Sequence, residues 1–259
     1  MASTHIVAVA LVATLTAPAL SVAQEEVAWS ELTERLEQAA LAGSGQELRA
    51  VRIDLLRQLI HPAEQAPGKA RVEYAIAYVA WRSANLTDVP GQEQADLLHD
   101  AVDRLEALVD DDPEDTEARA LLGALYGLQI ARDPSRGAEL GVRASGALDR
   151  AEAAAPDNPR VTLLQGISAF HTPVRFGGGL DRAERLLRRS LDSFSREPLD
   201  KPWPNWGRFD AHVWLGQTLA RQNDPSGARA EYDAALSLAP DSGWVKFVLL
   251  PALNGADRP

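Results

Sequence analysis

The stretch of the chain with the clearest chemical potential is glycine-rich and covers residues 170–179, FHTPVRFGGG. A glycine-rich turn that leads into a helix N-terminus can bind an anion through its backbone N–H groups, with Arg175 assisting. Asp181 follows in the first helical turn, where a carboxylate satisfies the helix dipole and repels an anion. Because neither a Walker lysine nor a preceding strand is present, a nucleotide P-loop is excluded. The stretch indicates either an anion site or, more simply, a tight turn whose glycines adopt positive φ.

A second candidate is the proline-rich and aromatic segment 198–209, PLDKPWPNWGRF, which holds Trp203, Trp206 and Phe209. If these rings were exposed, they would form a recognition patch. Large rings are usually mostly buried, so the segment is also interpreted as a proline-stiffened linker whose rings pack into a groove between repeats. The sequence favours the linker and leaves the patch as the alternative.

No residue pattern in the sequence indicates catalysis, a cofactor or a metal. The acidic run at 110–117 lacks the glycine and the ligand spacing of a calcium loop. No two histidines stand three or four residues apart, as zinc ligands on a helix do. The nucleophile motif Gly-x-Ser-x-Gly and cysteine are both absent. We therefore expect a protein that is not an enzyme; the alternative left open is a hydrolase whose groups are distant in sequence.

The composition favours a helical protein with an acidic surface. The 259 residues are 46% hydrophobic and 24% charged, and their formal net charge is −11. Such an apolar content suffices for a core, and the frequent Ala and Leu favour helices. Nucleic acids and anionic membranes repel a negative surface, so we expect neither as a partner.

The N-terminus has the features of a signal peptide. Residues 6–20, IVAVALVATLTAPAL, are apolar and precede Ser21-Val22-Ala23. Small residues at Ser21 and Ala23 fit the positions before a signal-peptidase site, which predicts a signal peptide at 1–23 with cleavage after Ala23. A run of about 15 apolar residues is shorter than the ~20 needed to span a bilayer. We expect a periplasmic or secreted protein whose mature chain, 24–259, has no transmembrane segment.

Apolar positions recur with a helical period along the mature chain, and Gly, Pro, Asp and Asn separate the periodic segments. Pro113, Pro156, Pro198 and Pro240 follow predicted helices at spacings of 43, 42 and 42 residues, which indicates a repeat. The predicted helices are 25–42, 46–61, 69–85, 92–110, 115–131, 136–154, 159–171, 180–195, 208–222, 226–238 and 242–250.

The clearest repeat unit is 209–242, FDAHVWLGQTLARQNDPSGARAEYDAALSLAPDS. Its key positions are Leu215, Gly216, Leu219, Ala228, Tyr232, Ala235 and Pro240. In type and spacing they resemble the signature of a tetratricopeptide (TPR) repeat. The resemblance implies an all-α, right-handed solenoid of about five antiparallel helix pairs, some with lengthened helices or loops. In such a pair Gly216 and Ala228 let the helices approach, and Tyr232 fills the space beside them.

Three earlier units, together 69–197, resemble the same signature with longer helices or loops. Their matching residues include Tyr78 and Trp81 in the first unit, Gly123 in the second and Gly166 in the third. Motifs such as Asn158-Pro159-Arg160 are similar to those of a group of exported bacterial TPR proteins to which no activity is assigned. The predicted organisation is a helix pair at 25–61, the three long units, a Pro/Trp linker at 198–208, the standard repeat at 209–242 and a capping helix with a tail at 243–259.

The TPR resemblance also implies a binding face, because the first helix of each TPR pair lines a concave groove. Its register places small apolar residues such as Val79 along the groove. The expected partner-binding residues are Arg82, Arg160, Phe170, His171, Gln217 and Arg221. Chaperone-binding members clamp a terminal carboxylate with Lys and Asn. The matching positions here are Ala, Val, Leu and Ile apart from Gln217, so we do not expect that function.

The leading hypothesis is a non-catalytic adaptor that binds a protein or peptide partner in the groove, since an apolar groove suits an amphipathic helix or an extended segment. The alternative is a periplasmic small-molecule receptor, with a ligand held between helices near Arg175, Trp203 and Trp206. A third interpretation is that the chain itself fills part of the groove. The C-terminal helix is apolar on nearly all sides over 244–250 and should be buried or meet a partner.

Overall fold

The computed structural model describes residues 22–60, 68–198 and 200–256. These residues form helices and turns, with no strand among them. The predicted signal peptide at 1–23 lies outside the described residues apart from Val22 and Ala23, which begin the first helix. None of the described helices is both long enough and apolar enough to cross a membrane.

Ten helices of the described chain form five consecutive pairs, in which the two members are joined by a short connection and pack against each other. The all-α solenoid of helix pairs predicted from the sequence is confirmed. The pairs are α1 (Val22–Ala42) with α2 (Gly45–Ile60), α3 (Lys69–Ser83) with α4 (Gly91–Asp111), α5 (Thr116–Arg132) with α6 (Gly137–Ala154), α7 (Pro159–His171) with α8 (Leu180–Arg196), and α9 (Arg208–Arg221) with α10 (Pro225–Leu238).

Local sequence sets where these helices begin. The side chains of Asp115, Asn158 and Asp224 each accept a hydrogen bond of 2.9 Å from a backbone N–H two or three residues later. Such caps satisfy N–H groups that have no partner within the helix. Pro159 and Pro225 then occupy the first helical position, where the missing N–H costs nothing. The Asp/Asn-Pro punctuation of the sequence thus marks two helix starts to the residue.

Small residues let the two helices of a pair approach closely. A Cβ atom at Gly216 would lie 2.4 Å from a ring carbon of Tyr232, much closer than two carbons can approach. Cβ atoms at Gly123 and Gly166 would lie 2.9 and 2.8 Å from leucine side chains of α6 and α8. The glycines of the repeat signature therefore permit the same close approach in three successive pairs.

The first helices of the pairs, α1, α3, α5, α7 and α9, stand side by side and form the inner face of the solenoid. The hydroxyl of Tyr74 lies 3.5 Å from Glu117, and Arg160 Nε lies 3.0 Å from the same carboxylate, each pair being 43 residues apart. Tyr74, Glu117 and Arg160 are thus equivalent inner positions. Val79, which the sequence register placed in the groove, instead lines a cavity of about 470 Å³ between α2 and α4.

Beyond the fifth pair, a π-helical turn (Val245–Leu249) leads into α11 (Leu250–Ala256). This wide turn immediately precedes Pro251, which has no N–H and whose ring would clash with a carbonyl in a regular α-helix. The helix predicted at 242–250 therefore continues further, because the π-turn accommodates the proline.

Candidate functional site

The connection between α8 and α9 lies across the N-terminal half of the inner face. We call residues 198–207, without Leu199, the strap. The strap residues Trp203 and Trp206 are only 7% and 2% exposed, and Trp206 stacks on Tyr78 with ring centroids 4.8 Å apart. The strap therefore fills this half of the groove with the chain's own rings, as the linker interpretation expected. The rings that receive them come from α1 and α3: Trp29, Tyr74, Tyr78 and Trp81.

Polar contacts hold the strap at both ends. Lys201 Nζ lies 3.1 Å from a carboxylate oxygen of Glu197 and donates to the carbonyl of Pro204 at 2.6 Å. At the other end, Arg160 donates to the carbonyl of Trp206 at 3.0 Å. One strap carbonyl is thus satisfied by a side chain of the strap itself and another by a side chain of α7, which fixes the path of the strap.

Arg160 is the centre of a buried ion-pair network. Its side chain is 1% exposed, and its Nε and Nη1 atoms lie 3.0 and 3.1 Å from Glu117 and Glu197. Burial opposes the charge of Arg160, but hydrogen bonds and charge from the two carboxylates hold its pKa above the ordinary value. Burial likewise opposes ionisation of Glu197, and the contact with Arg160 holds the pKa of that carboxyl below its usual range. Contrary to expectation, Arg160 is not available to a partner.

Arg82 is also engaged within the chain. Its Nη1 atom lies 2.6 Å from Asp210 Oδ1, and its Nη2 atom donates to the carbonyl of Ala40 at 2.7 Å. The side chains of Arg82 and Asp210 are 12% and 9% exposed. This ion pair, the clasp, joins the end of α3 to the start of α9. Arg82, like Arg160, was predicted to face a partner in the groove. It instead forms an ion pair within the chain.

A carboxyl group of α1 lies next to the clasp under the strap. Glu37 Oε2 is 3.5 Å from the hydroxyl of Tyr78, while Glu37 Oε1 is buried without a hydrogen-bond partner. Burial raises the pKa of Glu37 to about 7, although the charge of Arg82 counteracts the shift. Asp210 raises the pKa further by repulsion. The polar layer under the strap thus contains one carboxyl group that titrates near neutral pH.

At the opposite end of the inner face, four predicted partner-binding residues come together with a fifth that the sequence analysis missed. We call this set the open end: Phe170, His171, Trp214, Gln217 and Arg221. The ring centroids of the first three lie 5.0, 5.2 and 5.2 Å apart in pairs, in edge-to-face contact. The guanidinium carbon of Arg221 lies 4.1 Å from the centroid of Phe170.

The open end remains accessible to solvent. His171 and Arg221 are exposed, Trp214 and Gln217 are half-buried, and only Phe170 is buried, at 6% exposure. Desolvation by its neighbours and the charge of Arg221 lower the pKa of His171, so its imidazole is neutral at pH 7. The missed residue, Trp214, could have been found by its spacing, because it precedes Gln217 and Arg221 by one and two helical turns.

The glycine-rich stretch forms a tight turn. Gly177 and Gly179 have φ of +84° and +109°, and a Cβ atom at Gly178 would lie 2.0 Å from the carbonyl oxygen of Thr172. The backbone N–H groups of residues 176–179 all donate to carbonyls of 169–174, so none of these four is free to bind an anion. Arg175, the expected assistant, lies over the ring of Phe176 at 4.8 Å. The glycine-rich stretch is therefore a tight turn and not an anion site.

The C-terminal helix is buried on one side only. Val245 is fully buried, whereas Phe247 and Val248 are 77% and 54% exposed. The apolar faces that the sequence expected to be covered are thus partly open to solvent. Nothing among the described residues packs on them.

We next consider whether the polar side chains at these surfaces could form a metal site. Within the described ranges, no group of three or more His, Cys, Asp or Glu side chains is placed to hold a metal ion. His212 is paired with Glu231 at 2.7 Å. The arrangement offers rings, one guanidinium and an amide on the inner face, which are groups that bind.

Comparison with known proteins agrees with this architecture. Residues 174–243, which include α8, α9 and α10, match a family model described as tetratricopeptide repeat. No curated protein matches the chain. One similar solved structure is the HusA haemophore from Porphyromonas gingivalis, at 23% identity and a TM-score of 0.54, covering 74% of this chain and 94% of that one. Another is a thermophilic TPR protein of Thermus thermophilus, at 18% identity and a TM-score of 0.55, covering 87% and 97%.

The matching segment contains the unit 209–242, in which the repeat signature is clearest. It contains Gly216, Ala228 and Tyr232, which form the close contact between α9 and α10. The two solved structures extend the likeness of the fold to most of the described helices. Residues 174–243 thus match tetratricopeptide repeats in sequence, and the described helices share the fold of a solved TPR protein.

Proposed function

We propose that this protein is a non-catalytic adaptor whose open end binds a segment of a protein or peptide partner. TPR repeats generally act as scaffolds for protein interactions. The observation that supports this place on the molecule is the contrast along the inner face. The strap occupies one half, whereas at the other half His171 and Arg221 are exposed and Trp214 is half-buried.

The residue types of the open end suit protein recognition. Tryptophan and arginine are enriched at the energetic centres of protein interfaces. Trp214 and Arg221 are here held by neighbours, through edge-to-face contact with Phe170 and by stacking on the same ring. A pre-ordered site loses little conformational freedom when a partner binds. The open end therefore offers a rigid surface without requiring rearrangement of the helices.

The small-molecule alternative receives less support. It requires Arg175, Trp203 and Trp206 around a ligand, but both tryptophans are buried against α1 and α3, and Arg175 lies over Phe176. A solved neighbour is named a haemophore, yet at 23% identity the likeness concerns the fold alone. We therefore propose a protein partner.

We also propose that the protein is exported to the periplasm or secreted. The support is the apolar stretch 6–20 followed by small residues at 21 and 23. N-terminal sequencing of protein recovered from cell fractions tests this proposal. Gln24 is expected as the first residue, in a periplasmic or extracellular fraction. Recovery of the uncleaved chain in the cytoplasm would contradict export.

A crosslinking pull-down from native extract, with the mature chain 24–259 as bait, tests the binding function. The informative variant is the double change Trp214→Ala with Arg221→Gln. Its matched control changes an exposed apolar residue and an exposed arginine on α6, Val142→Ala with Arg150→Gln. Changing Arg82 or Arg160 would be uninformative, because both are buried in ion pairs and their loss would destabilise the bait.

Comparison of the three baits, wild type, open-end variant and control, supports or contradicts the proposal. A protein that the wild-type and control baits capture, and that the open-end variant loses while its circular dichroism is unchanged, supports binding at the open end. If all three baits capture the same protein, the binding face lies elsewhere, and the exposed side of the C-terminal helix is the next surface to change.

A further inference from the structure

We propose that the open end recognises an acidic side chain that lies next to an apolar one in the partner's segment. This inference rests on the proposed function and names the chemistry of that partner. Its basis is a pair of hydrogen-bond donors on α9, the side chains of Gln217 and Arg221, which stand one helical turn apart and both lack an acceptor among the described residues.

The first donor is the amide of Gln217. Its side-chain nitrogen is fully buried and makes no hydrogen bond. Buried polar atoms are nearly always hydrogen-bonded, so an unpartnered one calls for an explanation. A ligand that brings an acceptor to this position would complete the site.

The second donor is the guanidinium of Arg221. Its central carbon lies 4.1 Å from the centroid of the Phe170 ring, and its N–H groups have no acceptor among the described residues. A carboxylate is the acceptor that this fork of donors fits best, and charge assistance strengthens the contact. With the amide of Gln217 one turn away, the two side chains offer donors to one carboxylate from the same face of α9.

The neighbouring rings determine what should lie beside the carboxylate. Phe170, His171 and Trp214 form a continuous aromatic wall, and the imidazole adds no charge because its pKa is lowered. Rings of this kind pack against aliphatic or aromatic side chains. The site therefore combines one positive charge with an apolar surface, and an acidic residue adjacent to an apolar residue matches both.

The acidic surface of the rest of the molecule makes Arg221 the main attraction for an acidic segment. Of the three arginines expected in the groove, Arg82 and Arg160 already have carboxylate partners, whereas Arg221 has none among the described residues. The chain as a whole carries a net charge of −11, so most of its surface repels an acidic segment. Binding of such a segment would therefore depend on this single side chain.

Selection from a random decapeptide library displayed within a loop of a carrier protein tests the inference. The loop format removes free peptide termini, so that a terminal carboxylate cannot account for binding. The wild-type protein, Arg221→Gln, Gln217→Ala and the control Arg150→Gln are each used as the target. We expect wild type and the control to enrich peptides with Asp or Glu next to an aliphatic or aromatic residue. Arg221→Gln should bind those same peptides about three- to tenfold more weakly.

Three other outcomes would contradict the inference, and they differ in what they imply for the proposed function. If wild type enriches peptides with no preference for Asp or Glu, the acidic inference is wrong while the proposed peptide-binding function stands. If Arg221→Gln and Gln217→Ala keep the full acidic preference, another surface reads the charge and the inference is also wrong. If wild type enriches no peptides, the proposed function fails together with the inference.

Discussion

The two halves of the inner face differ in what covers them, although both are built from the first helices of successive pairs. In the N-terminal half the strap places Trp203 and Trp206 against α1 and α3, and polar contacts to neighbouring helices hold it there. In the C-terminal half, α7 and α9 present rings and a guanidinium to solvent. A repeat fold therefore provides a groove, and the connections between repeats decide which part of it stays available.

Helix α9 shows the contrast within fourteen residues. Its first turn contributes Asp210, which is buried in the clasp with Arg82. Its last turn contributes Arg221, which is exposed and stacks only on Phe170. Opposite charges at the two ends of one helix thus serve different purposes. One is satisfied within the chain, and the other is the group that we propose binds a partner.

The largest expected effect is on the closed half. We expect Trp206→Ala to lower the free energy of unfolding by about 3–5 kcal/mol, because a 2% exposed indole leaves a cavity under the strap. Urea denaturation followed by circular dichroism measures this change. Trp244→Ala, at a 43% exposed indole of the C-terminal helix, is the control and should cost much less. Equal losses in both variants would show that the strap contributes little to stability.

The second-largest loss of stability is expected in the ion-pair network of Arg160 beneath the strap. We expect Arg160→Met to destabilise the protein by about 3 kcal/mol, since it leaves the carboxylates of Glu117 and Glu197 without their buried partner. Arg143→Met removes a pair with Glu106 whose side chains are 44% and 35% exposed, and it should cost less than about 1 kcal/mol. Thermal melts of both variants check the difference. A similar shift in each would mean that burial of the network does not matter.

The carboxyl of Glu37 makes the closed half sensitive to pH. Its folded pKa, about 7, is above the ordinary value of 4.5, so the folded state binds the proton more tightly than the unfolded state. The resulting stabilisation is complete below the unfolded pKa and is lost as pH rises through 7. We expect the free energy of unfolding to fall by about 2 kcal/mol between pH 5 and pH 9.

The matched variant for this pH effect is Glu37→Gln, which cannot titrate. Urea denaturation at pH 5 and pH 9 should show a smaller difference for the variant than for the wild type. At the open end the lowered pKa of His171 acts in the opposite sense, because the unfolded state binds that proton more tightly and stability falls as the solution becomes more acidic. If the variant keeps the full pH dependence, other groups cause it.

The smallest effect on stability is expected at the open end. Arg221→Gln should change the free energy of unfolding by no more than about 0.5 kcal/mol, since the side chain is exposed and has no carboxylate partner among the described residues. Differential scanning calorimetry beside Arg160→Met gives the direct comparison between the two halves. A loss at Arg221 as large as that at Arg160 would contradict the division into a structural and a binding half.

Much of the fold follows from local sequence. The helix predicted at 159–171 is found at those bounds, because Asn158 and Pro159 fix its start within a few residues of chain. Gly216 and Tyr232 predicted a close helix contact, and it is present. The C-terminal helix was underestimated, because a π-turn that admits Pro251 leaves no signal in apolar periodicity.

The inner face was harder to predict, since it depends on residues far apart in the chain. Tyr78 and Trp81 match large residues of the TPR signature in type. In the structure their rings pack against Trp206 of the strap. The burial of Arg82 depends on a partner 128 residues away. No local pattern distinguishes an arginine that will meet such a partner from one, like Arg221, that will not.

The clasp has a consequence for the unity of the domain. In an ideal repeat protein each repeat contacts only its neighbours, so that end repeats can be deleted and folding spreads from one repeat to the next. Here the ion pair between Arg82 and Asp210 links the second helix pair directly to the fifth. Deleting the last pair would unpair a buried arginine near the opposite end. We therefore expect the described helix pairs, although built as modules, to unfold as one cooperative unit, and a truncation at one end to disturb the other.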